Sequence, residues 1–149
     1  FVEAMPGGFE TLNATITEAI TKAAAVIAAQ FSASRIDLQS KGLTAHDATV
    51  VAEILKSNTS VTNVYLQRNK EIGDEGAKAL AEALKVNATV KELNLYDCGI
   101  GDDGAAALAE ALRSNTSLTE LYLGDNGIGE QGKQLLRDAV AGREGFRLY

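Results

Sequence analysis

Four short segments alternate apolar and polar positions in the same way. Ala33-x-x-Ile36-x-Leu38, Val61-x-x-Val64-x-Leu66, Val90-x-x-Leu93-x-Leu95 and Leu118-x-x-Leu121-x-Leu123 start 28, 29 and 28 residues apart. Strict alternation over so few residues predicts a short strand with one buried face. Each segment is followed by a turn and then by apolar residues at helical spacing. These are Val51 and Leu55, Leu80 and Leu84, Leu108 and Leu112, and Leu136 and Val140. In the unit from Val90 to Ser117, Gly99 and Gly101 mark the turn around Ile100, and Asp102 and Asp103 sit where a helix N-terminus needs acceptors and negative charge. Asn115 and Thr116 close that helix and lead back to Leu118.

A strand, a turn and a helix recurring every 28–29 residues can bury their apolar faces only by stacking in parallel. The expected architecture is one α/β domain, a solenoid with a parallel sheet on one side and helices on the other. Helices are wider than strands, so the stack curves with the sheet on the concave side. The repeats are placed at 33–60, 61–89, 90–117 and 118–145. Phe9, Leu12, Ile16, Ile20, Ala23, Ile27 and Phe31 fall at helical spacing and predict an N-terminal capping helix over 9–30. Phe146 aligns with Leu118, so residues 146–149 are either a minimal cap or the start of another repeat.

Two units carry more of a recognisable pattern. Leu93-Asn-Leu95-Tyr-Asp-Cys98-Gly-Ile100-Gly-Asp-Asp-Gly104 and Leu121-Tyr-Leu123-Gly-Asp-Asn126-Gly-Ile128-Gly-Glu-Gln-Gly132 resemble the leucine-rich repeat family in its ribonuclease-inhibitor-like class. The resemblance spans about residues 33–141. It implies a horseshoe fragment that binds other proteins in the cytosol or nucleus, and a buried Asn or Cys (here Asn69, Cys98 and Asn126) that hydrogen-bonds loop backbone. The first unit departs from the pattern, with Lys41 at the Asn/Cys position and Asp47 at the helix glycine. The second has one extra residue between Asn69 and Ile72, which predicts a wider loop.

Composition narrows the chemistry. The 149 residues are 46% hydrophobic and carry a formal net charge of -6, with no basic cluster, so nucleic acid is not an expected partner. No apolar run is long enough to cross a membrane. The one cysteine favours a reducing, cytoplasmic setting. The chain begins at Phe1 with no signal-peptide pattern and is read as part of a larger protein. Gly99-x-Gly101-x-x-Gly104 and Gly127-x-Gly129-x-x-Gly132 match the dinucleotide-binding string, but the string recurs at the repeat period and is assigned to the architecture. Asn58, Asn87 and Asn115 head sequons at one repeat position and are read as helix ends and turns. No Ser/His/Asp, Cys/His or metal-ligand set assembles, so neither an enzyme nor a cofactor is expected.

The strand residues between the buried positions point into the concave face. They form columns across the units: Arg35, Asn63, Glu92 and Glu120; Asp37, Tyr65, Asn94 and Tyr122; and Gln39, Gln67, Tyr96 and Gly124, flanked by Ser40, Arg68, Asp97 and Asp125. Tyrosine supplies rigid contact area with a polar tip, which suits protein recognition. The expectation is a protein-binding face with tyrosine anchors and an acidic C-terminal half inviting a basic segment. Three rivals stand beside it: self-assembly through sheet edges or the tyrosine face, regulation of a small GTPase as in some relatives of the family, and a secreted recognition domain.

Overall fold

The computed structural model describes residues 34–149. The capping helix expected over 9–30 lies outside the described residues. From Arg35 the chain alternates strand and helix: β1 (Arg35–Asp37), α1 (Ala45–Ser57), β2 (Asn63–Tyr65), α2 (Gly73–Val86), β3 (Glu92–Asn94), α3 (Asp102–Ser114), β4 (Glu120–Tyr122), α4 (Glu130–Val140) and β5 (Arg147–Leu148). The five strands form one parallel sheet in chain order. Its register follows the repeat, with Ile36, Val64, Leu93, Leu121 and Leu148 side by side. Both apolar residues of each strand segment and both of each helix pair meet in one core between the two layers. β5 takes its place as the next strand of the series.

Two ladders of side-chain bonds join each unit to the one before it, and a third joins the last two helices to the units before them. In the loops after the strands, Asn69 Oδ1 accepts from the Lys41 and Leu43 N–H groups at 3.0 Å each, while its Nδ2 donates to the Leu38 and Leu66 carbonyls. Asn126 repeats this two junctions further on, accepting from Cys98 and Ile100 N–H at 2.9 and 3.0 Å. Cys98 serves the junction between them differently. Its thiol donates to the Leu66 carbonyl at 3.2 Å, and it has no second arm to receive amides. None is needed for Ile72, because the extra residue lets the second loop close on itself, Ile72 N–H donating to the Asn69 carbonyl at 3.1 Å. The wider loop presses outward, and Gly99 makes room for it. Gly99 has φ +67°, and a Cβ there would lie 2.3 Å from the Lys70 carbonyl oxygen. Burial pushes the Cys98 thiol up to about 11, which marks it as structural and unreactive.

At the helix C-termini, Asn58, Asn87 and Asn115 occupy the cap position. Each Oδ1 accepts from the N–H groups two and three residues on. Asn87 and Asn115 are 95% buried, and their Nδ2 groups donate to Leu55 and Leu84 of the preceding helices at 2.8 Å. Arg143 takes the same position in the last unit and donates to Leu112 and Leu118.

The third ladder corrects a sequence expectation. Asp102 does not cap its own helix. Its Oδ1 accepts from Gly129 N–H at 2.7 Å, at the start of α4. Asp74 likewise accepts from Gly101 and Gly104 N–H at the start of α3. The anion at these glycine-rich helix N-termini is therefore the carboxylate of the preceding unit. α1 has a capping box instead, Thr44 with Asp47, which explains why Asp47 stands where later helices have glycine. At Gly104 a Cβ would come within 2.7 Å of both Asp74 Oδ1 and Ile100 Cγ2, and 3.0 Å from Ala77 Cβ.

Candidate functional site

The strand register assembles the first two expected columns and extends both by one residue. The first runs Arg35, Asn63, Glu92, Glu120, Arg147, and the second Asp37, Tyr65, Asn94, Tyr122, with Tyr149 beyond β5. Arg147 and Tyr149 escaped the sequence reading, although the alignment of Phe146 with Leu118 could have placed them. Their arrival changes the charge pattern. Arg147 lies 3.6 Å from Glu120, so the acids of the first column sit between arginines instead of running to an acidic end.

The tyrosines are held by neighbours. Asn63 Nδ2 and the Tyr65 hydroxyl both donate to Glu92 Oε2, at 2.6 and 3.0 Å, and the Arg35 guanidinium stands 5.5 Å from the Tyr65 ring centre. Tyr122 donates to Glu120 Oε2 at 2.9 Å and stacks on Tyr149, with ring centres 4.5 Å apart and planes 8° from parallel. Tyr96 donates to Asp125 Oδ2 and lies over Gly124, where a Cβ would come within 3.1 Å of the ring. Asn94 Oδ1 accepts from Tyr96 N–H at 3.0 Å.

The carboxylate partners and burial shift these phenols upward. The hydrogen bond to Glu120 pushes Tyr122 up to about 12, the bond to Asp125 raises Tyr96, and burial raises Tyr65. Gln67 donates to Gln39 at 3.2 Å. Its own Oε1 is the one buried side-chain acceptor without a partner among the described residues.

Ser40, Arg68, Asp97 and Asp125, flanking the third column, all have φ between +51° and +62°. A left-handed residue costs about 1–2 kcal/mol, but this one recurs in every unit and belongs to the turn that leaves the sheet. Among the described residues, no cluster of three His, Cys, Asp or Glu side chains could hold a metal ion, and no helix is long and apolar enough to cross a membrane.

Comparison with known proteins fits this geometry. A family profile, the Leucine Rich repeat, matches residues 57–81, 86–109 and 114–134. The chain carries leucine-rich repeats. Its three matched stretches each run from a helix end through the next strand and turn into the following helix. No curated protein sequence matches. Solved structures do, among them the leucine-rich-repeat fragment titled Leiomodin-1 Actin-Binding Site 2 (ABS2). It is 26% identical, has a TM-score of 0.68, and the match covers 77% of this chain and 68% of that one.

Proposed function

We propose that this leucine-rich-repeat chain is a protein-binding module whose concave sheet face holds the partner. The observation that carries the reading is the immobilised set of tyrosines. Tyr65, Tyr96 and Tyr122 donate to Glu92, Asp125 and Glu120, so ordering these rings on binding costs little. Around them Arg35, Asp37, Asn63, Gln67, Arg68, Asn94 and Asp97 supply a polar rim of both signs. A partner segment with basic groups over Glu92 and Glu120 complements this face. The helix-bearing units of 28–29 residues support placement in the ribonuclease-inhibitor-like class, and a binding role in place of catalysis.

The actin-binding title of the structural neighbour makes actin the first partner to try. The test is pull-down of monomeric actin and pelleting with filaments, by the whole chain and by the Tyr65→Ala/Tyr96→Ala/Tyr122→Ala variant. Interface tyrosines are typical hot spots, each worth about 2 kcal/mol or more. The variant should therefore bind at least about 30-fold more weakly while keeping its circular dichroism. Full binding by the folded variant would remove the concave face from the proposal. No binding by the parent chain would remove actin.

A reducing compartment suits the buried asparagines. The Nδ2 groups of Asn87 and Asn115 would be the attachment atoms of a glycan, and both are spent inside the stack. A chain passing through the secretory pathway would risk glycans at positions that must later be buried. This supports a cytosolic placement over the secreted alternative.

A further inference from the structure

Asn126 is followed by glycine, whereas every other asparagine of the chain precedes a residue with a Cβ. An asparagine in this setting is open to attack by the backbone nitrogen of its own neighbour, because no Cβ shields that nitrogen. The fold does not call for the glycine. Gly127 has no positive φ, and the nearest atom to a Cβ built there is the Ile100 carbonyl oxygen at 3.8 Å, an ordinary contact. The equivalent Gly99 is required, by its φ of +67° and by the Lys70 carbonyl behind it. The residue before Gly99 is Cys98, which carries no side-chain amide, and the third member of the ladder, Asn69, precedes Lys70. The reactive pair therefore stands at one junction, where residues 118–145 join 90–117, and no packing demand accounts for its glycine.

Asn126 holds that junction with both ends of its side chain. Its Oδ1 accepts from the Cys98 and Ile100 N–H groups. Its Nδ2 donates to the carbonyls of Leu95, Leu123 and Gly124 at 2.8, 3.0 and 3.2 Å. While these bonds stand, the carboxamide is not free to swing toward the Gly127 nitrogen, so attack requires the junction to open. Local opening costs less than global unfolding and recurs throughout the life of a folded chain. The same bonds make the site sensitive to its own chemistry. Three carbonyls surround one nitrogen, and an oxygen in its place would bring an acceptor against acceptors with no proton between them.

We propose that Asn126 is a self-modification site, a one-way switch that fixes this junction open once it has opened. The Gly127 nitrogen attacks Asn126 Cγ. The Cγ–Nδ2 bond breaks, and ammonia leaves with the proton shed by the Gly127 amide, closing a succinimide ring. Water then adds to either carbonyl of the ring. One opening leaves aspartate; the other leaves isoaspartate, whose backbone runs through the side-chain carbon. Aspartate sets a carboxylate oxygen, which has no proton to donate, among the carbonyls of Leu95, Leu123 and Gly124. Isoaspartate reroutes the chain and takes the bonding group out of the loop. In either product the bonds that closed the junction cannot all re-form, and buried groups left unpaired oppose closure. The change is covalent, so it outlasts the opening that allowed it.

The test incubates the whole chain at mildly alkaline pH, folded and in guanidinium. Each asparagine is followed by proteolysis and mass spectrometry, with isoaspartate separated from aspartate by chromatography. Asn126 should lose its amide before any other asparagine. The folded chain should react roughly tenfold to a thousandfold more slowly than the unfolded one, because local opening must come first. Gly127→Ala, for which the loop has room, should lose the amide at least tenfold more slowly than the parent in both solvents. Asn126→Asp, which is one of the two products, should melt below the parent and show at least tenfold faster hydrogen exchange at the Cys98 and Ile100 amides. Folded and unfolded rates within tenfold of each other would show that the bonds of Asn126 do not gate the reaction. A folded chain slower by more than a thousandfold would show that the junction does not open by itself. Either result would overturn the proposal. So would another asparagine reacting first, Gly127→Ala reacting at the parent rate, or parental exchange at Cys98 and Ile100 in Asn126→Asp.

Discussion

At the scale of single residues, the tyrosines of the sheet are donors to carboxylates, and this has a pH signature. Tyr122 is pushed up to about 12 by its bond to Glu120, from an unfolded value near 10. The folded state therefore holds this proton more tightly. The stabilisation is fully present below pH ~10 and is lost as pH rises to ~12. Ultraviolet titration near 295 nm should show one tyrosine ionising well after the free phenol. Tyr122→Phe should remove that step and flatten the loss of stability between these pH values; an unchanged late step would show that another tyrosine carries it. The residue types at these positions were legible in the sequence, because alternation alone sends Tyr65 and Tyr122 to the face opposite Val64 and Leu121. Their partners were not, since the choice of Glu92 for Tyr65 but Glu120 for Tyr122 depends on rotamers that no periodicity encodes.

At the scale of elements, α3 and α4 are each capped by the preceding unit. The sequence showed acids beside the helix starts, and the natural reading was that each serves its own helix. The pattern cannot distinguish that from service to the next helix, because Asp102 is the first residue of α3 and lies a whole repeat from Gly129. Asp102→Ala should cost about 1 kcal/mol, as lost caps do, and the damage should appear in α4. Hydrogen exchange resolved by residue would show faster exchange at Gly129 and the first turn of α4, with α3 unchanged. Loss confined to α3 would contradict the geometry. Gly104→Ala should cost more, about 1–3 kcal/mol, because Asp74, Ile100 and Ala77 all border the missing Cβ, and thermal unfolding would measure it. Helices and strands themselves were readable because burial at periods of 3.6 and 2 is local. The bonds between units join residues 25 to 32 positions apart, beyond the reach of any window used to find an element.

At the scale of the molecule, stacking order, sheet order and the concave face followed from the period and from relative widths of helix and strand. The charge balance of that face did not, because it turns on Arg147, contributed by a strand of two residues. The junctions carry one more consequence, which concerns how such a chain can grow. The loop of the second unit satisfies its own Ile72 amide and pushes Lys70 outward, and the third unit answers with Cys98 and Gly99. The inheritable block is therefore a couplet of unlike units, residues 61–117. Duplicated together, the couplet sets the new Asn69 against the Cys98 and Ile100 amides, as Asn126 now is. Duplicating residues 90–117 alone would set a second Cys98 against those two amides with no oxygen to receive them, at about 1–3 kcal/mol for each buried group left unpaired. Duplicating 61–89 alone would drive a lysine Cβ into the Lys70 carbonyl. Thermal melts of the three lengthened chains should rank the couplet above both singletons, although it adds the most residues, because a stack of this kind is copied by matched edges and not by count.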